Sequence, residues 1–171
     1  DDIEDAWSLA RRYGEPLRTW PAAAAVVERA WLTGVADERI DDCRRLLDGA
    51  ELPGLRWARG ELAMWLHRLG IPVDVTEVAQ PYRSYLGGDV PAAAAEFDRL
   101  GVCYDAALAL TEVGVPDRVR RGLDMLDRLG AAAVADKVRG DLRSAGMAVV
   151  PARRRAASLA NPVGLTARQV E

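Results

Sequence analysis

Apolar residues along this chain recur every three or four positions, and within the blocks set off by turn residues they never alternate. After Pro53, the residues Leu55, Ala58, Leu62, Trp65, Leu66 and Leu69 follow this rhythm, with Arg56, Arg59, Glu61 and Arg68 mostly on the other face. After Pro116 the stripe is Val119, Leu123, Leu126 and Leu129, and after Gly130 it is Val134, Val138, Leu142 and Ala145. A spacing near 3.6 lays one apolar face along a helix, whereas a half-buried strand needs a period of two. Asp117 with Arg121 and Asp124 with Arg128 set an acid four residues before a base, an arrangement that supports a solvated outer face.

Turn residues divide the chain at Gly14–Pro16, Gly34, Pro53–Gly54, Gly70–Pro72, Gly87–Gly88, Gly101, Gly114–Pro116, Gly130 and Gly146. Glycine just past a helix and proline just inside the next is the expected asymmetry of helix ends. The blocks predict helices near 3–13, 17–33, 36–49, 54–69, 80–86, 89–100, 103–113, 116–129 and 131–145, with a longer connection over 70–79. The fold class expected is all-α, with eight or nine helices. Links this short predict antiparallel packing of sequential helices.

Three of these blocks end alike: Trp65-Leu66-His67-Arg68-Leu69-Gly70, Phe97-Asp98-Arg99-Leu100-Gly101 and Leu126-Asp127-Arg128-Leu129-Gly130. The Arg-Leu-Gly ends recur at intervals of 31 and 29 residues. A period near 30 with two helices per unit suits a short α-solenoid, because one helix pair cannot shield its apolar stripe without stacking on the next. Phe97, Leu100, Gly101 and Tyr104 also have the aromatic–Leu–Gly–Tyr spacing of a first TPR helix, though the rest of that consensus is missing. The pattern is therefore TPR-like. Its alternative is an irregular helical bundle whose helix ends converged on Leu-Gly.

Composition sharpens this picture. Half of the 171 residues are hydrophobic, much of that half being the strong helix former alanine, and only 6% are aromatic. The 23 basic and 26 acidic residues leave a formal charge of -3, without the basic footprint of a duplex-DNA binder. From Met147 onward, however, Arg153, Arg154, Arg155 and Arg168 face a single acid, Glu171, so a basic tail follows an acidic body. There is no signal peptide and no apolar run of about 18 residues, so the expected setting is the cytoplasm, away from membranes. Cys43 and Cys103 are expected to be two buried, reduced thiols, and the lone His67 with no Cys/His cluster argues against zinc.

Residues 147–163, with Pro151, three consecutive arginines and Asn161-Pro162, read as a linker. Thr166 and Gln169 then form a capping box, which announces a helix just as the chain stops. Here Asn161-Pro162-Val163-Gly164-Leu165-Thr166-Ala167-Arg168-Gln169-Val170-Glu171 resembles the opening of the LuxR-type helix-turn-helix domain. Upstream, Arg59-Gly60-Glu61-Leu62-Ala63-Met64-Trp65, Gly87-Gly88-Asp89-Val90-Pro91-Ala92-Ala93-Ala94-Ala95 and Tyr104-Asp105-Ala106-Ala107-Leu108-Ala109-Leu110 resemble the helical segment before that domain in large ATP-binding LuxR-type regulators. The resemblance implies a helical repeat domain over 1–146, a linker over 147–163 and the truncated start of a LuxR-type domain over 164–171. It also implies a nucleotide-binding module, in some members preceded by a cyclase-like domain, upstream in the parent protein. Neither a Gly-x-x-x-x-Gly-Lys-Ser/Thr loop nor a recognition helix is present in this sequence.

No residue is assigned a catalytic, cofactor-binding or metal-binding role, and no cofactor is expected in this segment. His67 has no local nucleophile or acid to form a catalytic set, so the chain is not expected to be an enzyme. Trp7, Trp31 and Trp65 fall on apolar stripes and are expected in the core; Trp20 and Trp57 are candidates for a binding groove, and the Pro81-Tyr82-Arg83-Ser84-Tyr85 segment is read first as a short helix packing two tyrosine rings on its neighbours, with a groove as its second reading. Arg153-Arg154-Arg155 is read as a solvated linker run with a second reading as a phosphate contact. The expected function is a sensor or scaffold segment that relays a signal to a DNA-binding domain. Its partners would be a protein, another domain of the same chain or a small-molecule inducer, with DNA reached only through the missing domain. The rival is a stand-alone helical small-molecule-binding or oligomerisation domain.

Overall fold

The computed structural model describes residues 2–49, 53–74 and 77–147, and among them every regular element is helical. The helices are α1 (Asp2–Tyr13), α2 (Pro16–Thr33), α3 (Ile40–Leu47), α4 (Arg56–Arg68), α5 (Gln80–Leu86), α6 (Val90–Arg99), α7 (Cys103–Glu112), α8 (Pro116–Arg128) and α9 (Ala132–Ser144), with a 3-10 turn over Pro53–Leu55. The predicted boundaries agree to within one or two residues except at α3. There Asp37 Oδ1 accepts from the Arg39 backbone N–H at 3.0 Å and the Asp37 carbonyl from Ile40 N at 3.1 Å, so a side-chain-braced turn occupies the residues expected to be helix.

The helix ends have a common cause. Gly14, Gly34, Gly70, Gly88, Gly101, Gly114, Gly130 and Gly146 all take the left-handed conformation, with φ between 65° and 86°. At each Arg-Leu-Gly end the glycine N–H reaches back three residues and the following N–H reaches back five. Ile71 bonds to Leu66, Val102 to Phe97 and Ala131 to Leu126, at 3.0, 2.9 and 3.0 Å. This is the Schellman stop, which satisfies carbonyls the helix leaves open. The same bonds close α5, through Asp89 to Ser84, and α9, through Met147 to Leu142. The cap is thus broader than the Arg-Leu-Gly repeat. The leucines of that motif also stand outside the core at two of three ends, Leu100 being 44% and Leu129 49% exposed.

Two compact units divide between Ala93 and Ala94, within α6. In the first, α2 and α4 form the central pair; α1 and α3 pack on α2, and α5 packs on α4. The alanine-rich run of α2 buries Ala23, Ala24, Val26, Val27 and Ala30, small side chains that bring its axis close to α4. From α4 come Leu62, Met64, Trp65 and Leu66, all essentially without solvent contact. Burying each such large side chain contributes about 1.5–3 kcal/mol. Pro21 lies inside α2, where it removes the hydrogen bond to the Leu17 carbonyl; this falls in the exposed first turns, Leu17 being 81% exposed.

In the second unit α7 and α8 form the central pair and α9 packs on α8. Val119, Leu123 and Leu126 of α8 are buried, as are Val134 and Val138 of α9, in keeping with their predicted stripes. Gly122 makes the α7–α8 approach possible: a Cβ there would stand 2.6 Å from the Ala107 carbonyl oxygen. The expected Asp117–Arg121 pair is not formed. Asp117 instead pairs with Arg120 at 3.4 Å, while Arg121 crosses to Asp98 of α6 at 2.7 Å. A carboxylate on a neighbouring helix has outcompeted the one four residues back.

Candidate functional site

The aromatic residues divide more sharply than their spacing suggested. Trp7 and Trp65 are buried, and Trp31 is half-buried with its ring 5.4 Å from that of Trp65. Trp20 is also buried, so it does not line an exposed groove. Tyr82 and Tyr85 are buried too, which makes α5 a short helix packing two tyrosine rings inward. Tyr82 lies across Gly60 of α4, where a Cβ would come within 2.3 Å of the ring. Of the aromatic groove candidates Trp57 alone stays open, 39% exposed, meeting the Tyr82 ring edge-on at 5.1 Å.

Two cationic placements escaped the sequence reading. Arg59, expected on the outer face of α4, is 4% exposed. Its guanidinium lies over Trp20 at 5.8 Å and Nη2 donates to the Leu47 carbonyl at 3.1 Å, while Nε and Nη1 have no hydrogen-bond acceptor. The ring face and the C-terminal end of α3 therefore provide the main compensation for this buried charge. Arg68 sits between the rings of Trp65 and Tyr85, at 4.8 and 5.0 Å, and exposed His67 meets Tyr85 edge-on at 5.7 Å. A helical stripe read from sequence gives no sign of this, because an arginine stem packs like an apolar residue while its head finds a partner on another helix.

Before α3, Asp37 receives two arginines: Arg39 Nη2 at 2.7 Å and Arg29 Nη2 at 2.9 Å. Hydrogen bonding from Arg39, reinforced by Arg29, holds the Asp37 carboxyl well below its ordinary value of 3.8 against the opposing effect of burial. The linkage sign follows. A depressed folded value adds stability that is present above 3.8 and is lost as the pH falls below it. Urea midpoints followed from neutral pH to below 3.8 should therefore decline more steeply in the wild type than in Asp37→Asn. Parallel curves would show that the cluster contributes no such dependence.

Cys43 is buried, and loss of hydration pushes its thiol up to about 12, with the fields of Asp37 and Asp42 acting in the same direction. Such a thiol is a poor nucleophile. Cys103 departs from expectation: it opens α7 at an exposed position, its Sγ 3.5 Å from the Gly101 carbonyl. Both are free thiols. Among the described residues no three His, Cys, Asp or Glu side chains gather as metal ligands, and no helix is long and apolar enough to cross a membrane. Arg153-Arg154-Arg155 and the Thr166–Gln169 capping box lie outside the described residues.

Several large apolar side chains also remain open at the surface. Leu9, Tyr13 and Leu17 are 52%, 58% and 81% exposed around the α1–α2 connection, and Val35 follows α2. Leu9 and Tyr13 were not singled out from sequence, although their spacing of four on one helix was available as a signal. No family model, curated protein or solved structure matches this chain.

Proposed function

We propose that the chain is a helical-repeat scaffold segment of a LuxR-type transcriptional regulator, relaying a signal from an upstream nucleotide-binding module to a C-terminal helix-turn-helix domain. The observation that carries the reading is residues 161–171, whose Asn-Pro-x-Gly-Leu-Thr-x-Arg-Gln-Val-Glu pattern resembles the start of that domain. The all-helical architecture of the described residues supports it, since a TPR-like segment must be built from helices alone. The Arg-Leu-Gly sequence at the ends of α4, α6 and α8 falls on every second helix, as a two-helix period requires, while the stop itself also closes α5 and α9. Apolar side chains at the helix ends, Leu100 and Leu129, offer contact points for a partner or a neighbouring domain.

As a relay, the segment acts by making different contacts in two states of the regulator, because a ligand shifts an equilibrium only through its differential affinity for those states. Selection from a random duplex library provides the test. The 171-residue chain should enrich no sequence. The same chain extended by the residues its gene encodes past Glu171 should enrich a defined site. Specific duplex binding by the 171-residue chain itself, or a gene that continues without a helix-turn-helix, would reject the proposal.

A further inference from the structure

Helix α1 has two faces that carry apolar residues, the second shared with Asp2 at its N-terminal end, and only one is used within its unit. Trp7 and Ala10 are buried against α2, whereas Ala6, Leu9 and Tyr13 run along a different face and remain exposed. At 100° per residue these last three fall within one narrow stripe. Asp5 and Arg12, seven residues apart, flank that stripe along the same edge. The helix carries Asp2, Glu4 and Asp5 in its first turn and Arg11 and Arg12 in its last.

We infer that this stripe is a self-association surface, on which α1 of a second copy of the chain docks antiparallel about a two-fold axis. Symmetry makes the argument specific. A two-fold axis perpendicular to an antiparallel helix pair keeps each edge of the stripe on its own side while reversing direction. With the axis between Ser8 and Leu9, Asp5 meets the second copy's Arg12, and Arg12 meets its Asp5. The two Leu9 side chains meet at the axis. Each Tyr13 leans toward its own helix N-terminus and comes over the second copy's Ala6, a large side chain set against a small one. Arg18 already lies over the Tyr13 ring at 5.5 Å, which holds that ring in place before any partner arrives. A parallel pairing about an axis along the helices would put the two Asp5–Arg12 edges on opposite sides of the seam, so neither charge would meet its opposite.

One helix of 12 residues makes an interface below the standard size, so the dimer is weak and concentration-dependent. Sedimentation equilibrium of the whole chain over a concentration series should show the mass rising from 18.6 kDa toward twice that value. Leu9→Asp should hold it at the monomer, and so should Ala6→Arg, which fills the seat of the tyrosine; unchanged far-ultraviolet circular dichroism would show that α1 persists in both. Asp5→Arg alone and Arg12→Asp alone should each weaken association several-fold, and the two combined should restore it. A monomer at every concentration overturns the inference and leaves the stripe to a different occupant, such as a preceding helix. A dimer that survives both Leu9→Asp and Ala6→Arg also overturns it, as does a charge-swapped pair that fails to recover.

Discussion

Replacing Asp127 by alanine should destabilise the second unit by roughly 3–5 kcal/mol, the usual consequence of removing one member of a buried ion pair. Asp127 Oδ2 accepts from Arg139 Nη2 at 2.6 Å, and the two side chains are only 2% and 3% exposed. Without the carboxylate, Arg139 retains Asp136 at 3.4 Å, a longer contact to a side chain that is itself 55% exposed. The loss is large because a guanidinium is left in a low-dielectric site, and it overstates what the pair is worth. Accordingly, Asp127→Leu combined with Arg139→Met should recover much of the deficit, and a double-mutant cycle in urea separates the coupling from the stranded charge. If Asp127→Ala unfolds within about 1 kcal/mol of the wild type, the pair is not the buried lock described.

The second large effect is one of sign. Among the described residues three glycines lie within α-helices: Gly60 in α4, Gly122 in α8 and Gly140 in α9. By helix propensity alone, each replacement by alanine would gain about 1 kcal/mol. At Gly140 a Cβ meets nothing within 4 Å, so Gly140→Ala should stabilise by close to that amount. At Gly122 the Cβ would stand 2.6 Å from the Ala107 carbonyl oxygen and 2.8 Å from Thr111 Cγ2. The first of these is backbone, which cannot swing aside. Forcing α7 from α8 costs about 1–3 kcal/mol or more, so Gly122→Ala should be a net destabilisation despite the better propensity. Gly60→Ala should follow it, because the Tyr82 ring and its Cβ, at 2.7 Å, both stand in the way. Thermal melts of the three variants decide the matter; a Gly122→Ala protein as stable as Gly140→Ala would mean the helices are not so closely opposed.

The helices and their ends were legible because both are local. Apolar period and the break glycines lie within a few residues of the structure they specify, and all eight left-handed glycines fall at breaks marked from sequence. Residues whose state depends on a distant helix were not legible. Arg59 was placed outward by its position on α4, yet Trp20 and the Leu47 carbonyl draw it in. Arg121 was paired within its own helix, but Asp98 captures it. The buried bond between Asp127 and Arg139 joins side chains from two helices, and nothing in either helix alone marks it. At the candidate site, Trp57 is the one aromatic groove candidate that remains exposed; Trp20, Tyr82 and Tyr85 are consumed by packing. The stripe of Ala6, Leu9 and Tyr13 was written in the spacing of α1, but choosing between its two greasy faces required knowing which one α2 covers.

The reach-back bonds after Gly70, Gly88, Gly101, Gly130 and Gly146 span at most six residues each. A punctuation mark of that kind needs no help from the rest of the molecule. It fixes where a helix ends, while the rod itself, only 7 residues long in α5, draws its stability from the neighbours it packs on. Where the residue that closes one rod directly precedes the next, as Val102 does before α7 and Ala131 before α9, the mark also sets how short the joint between two rods can be.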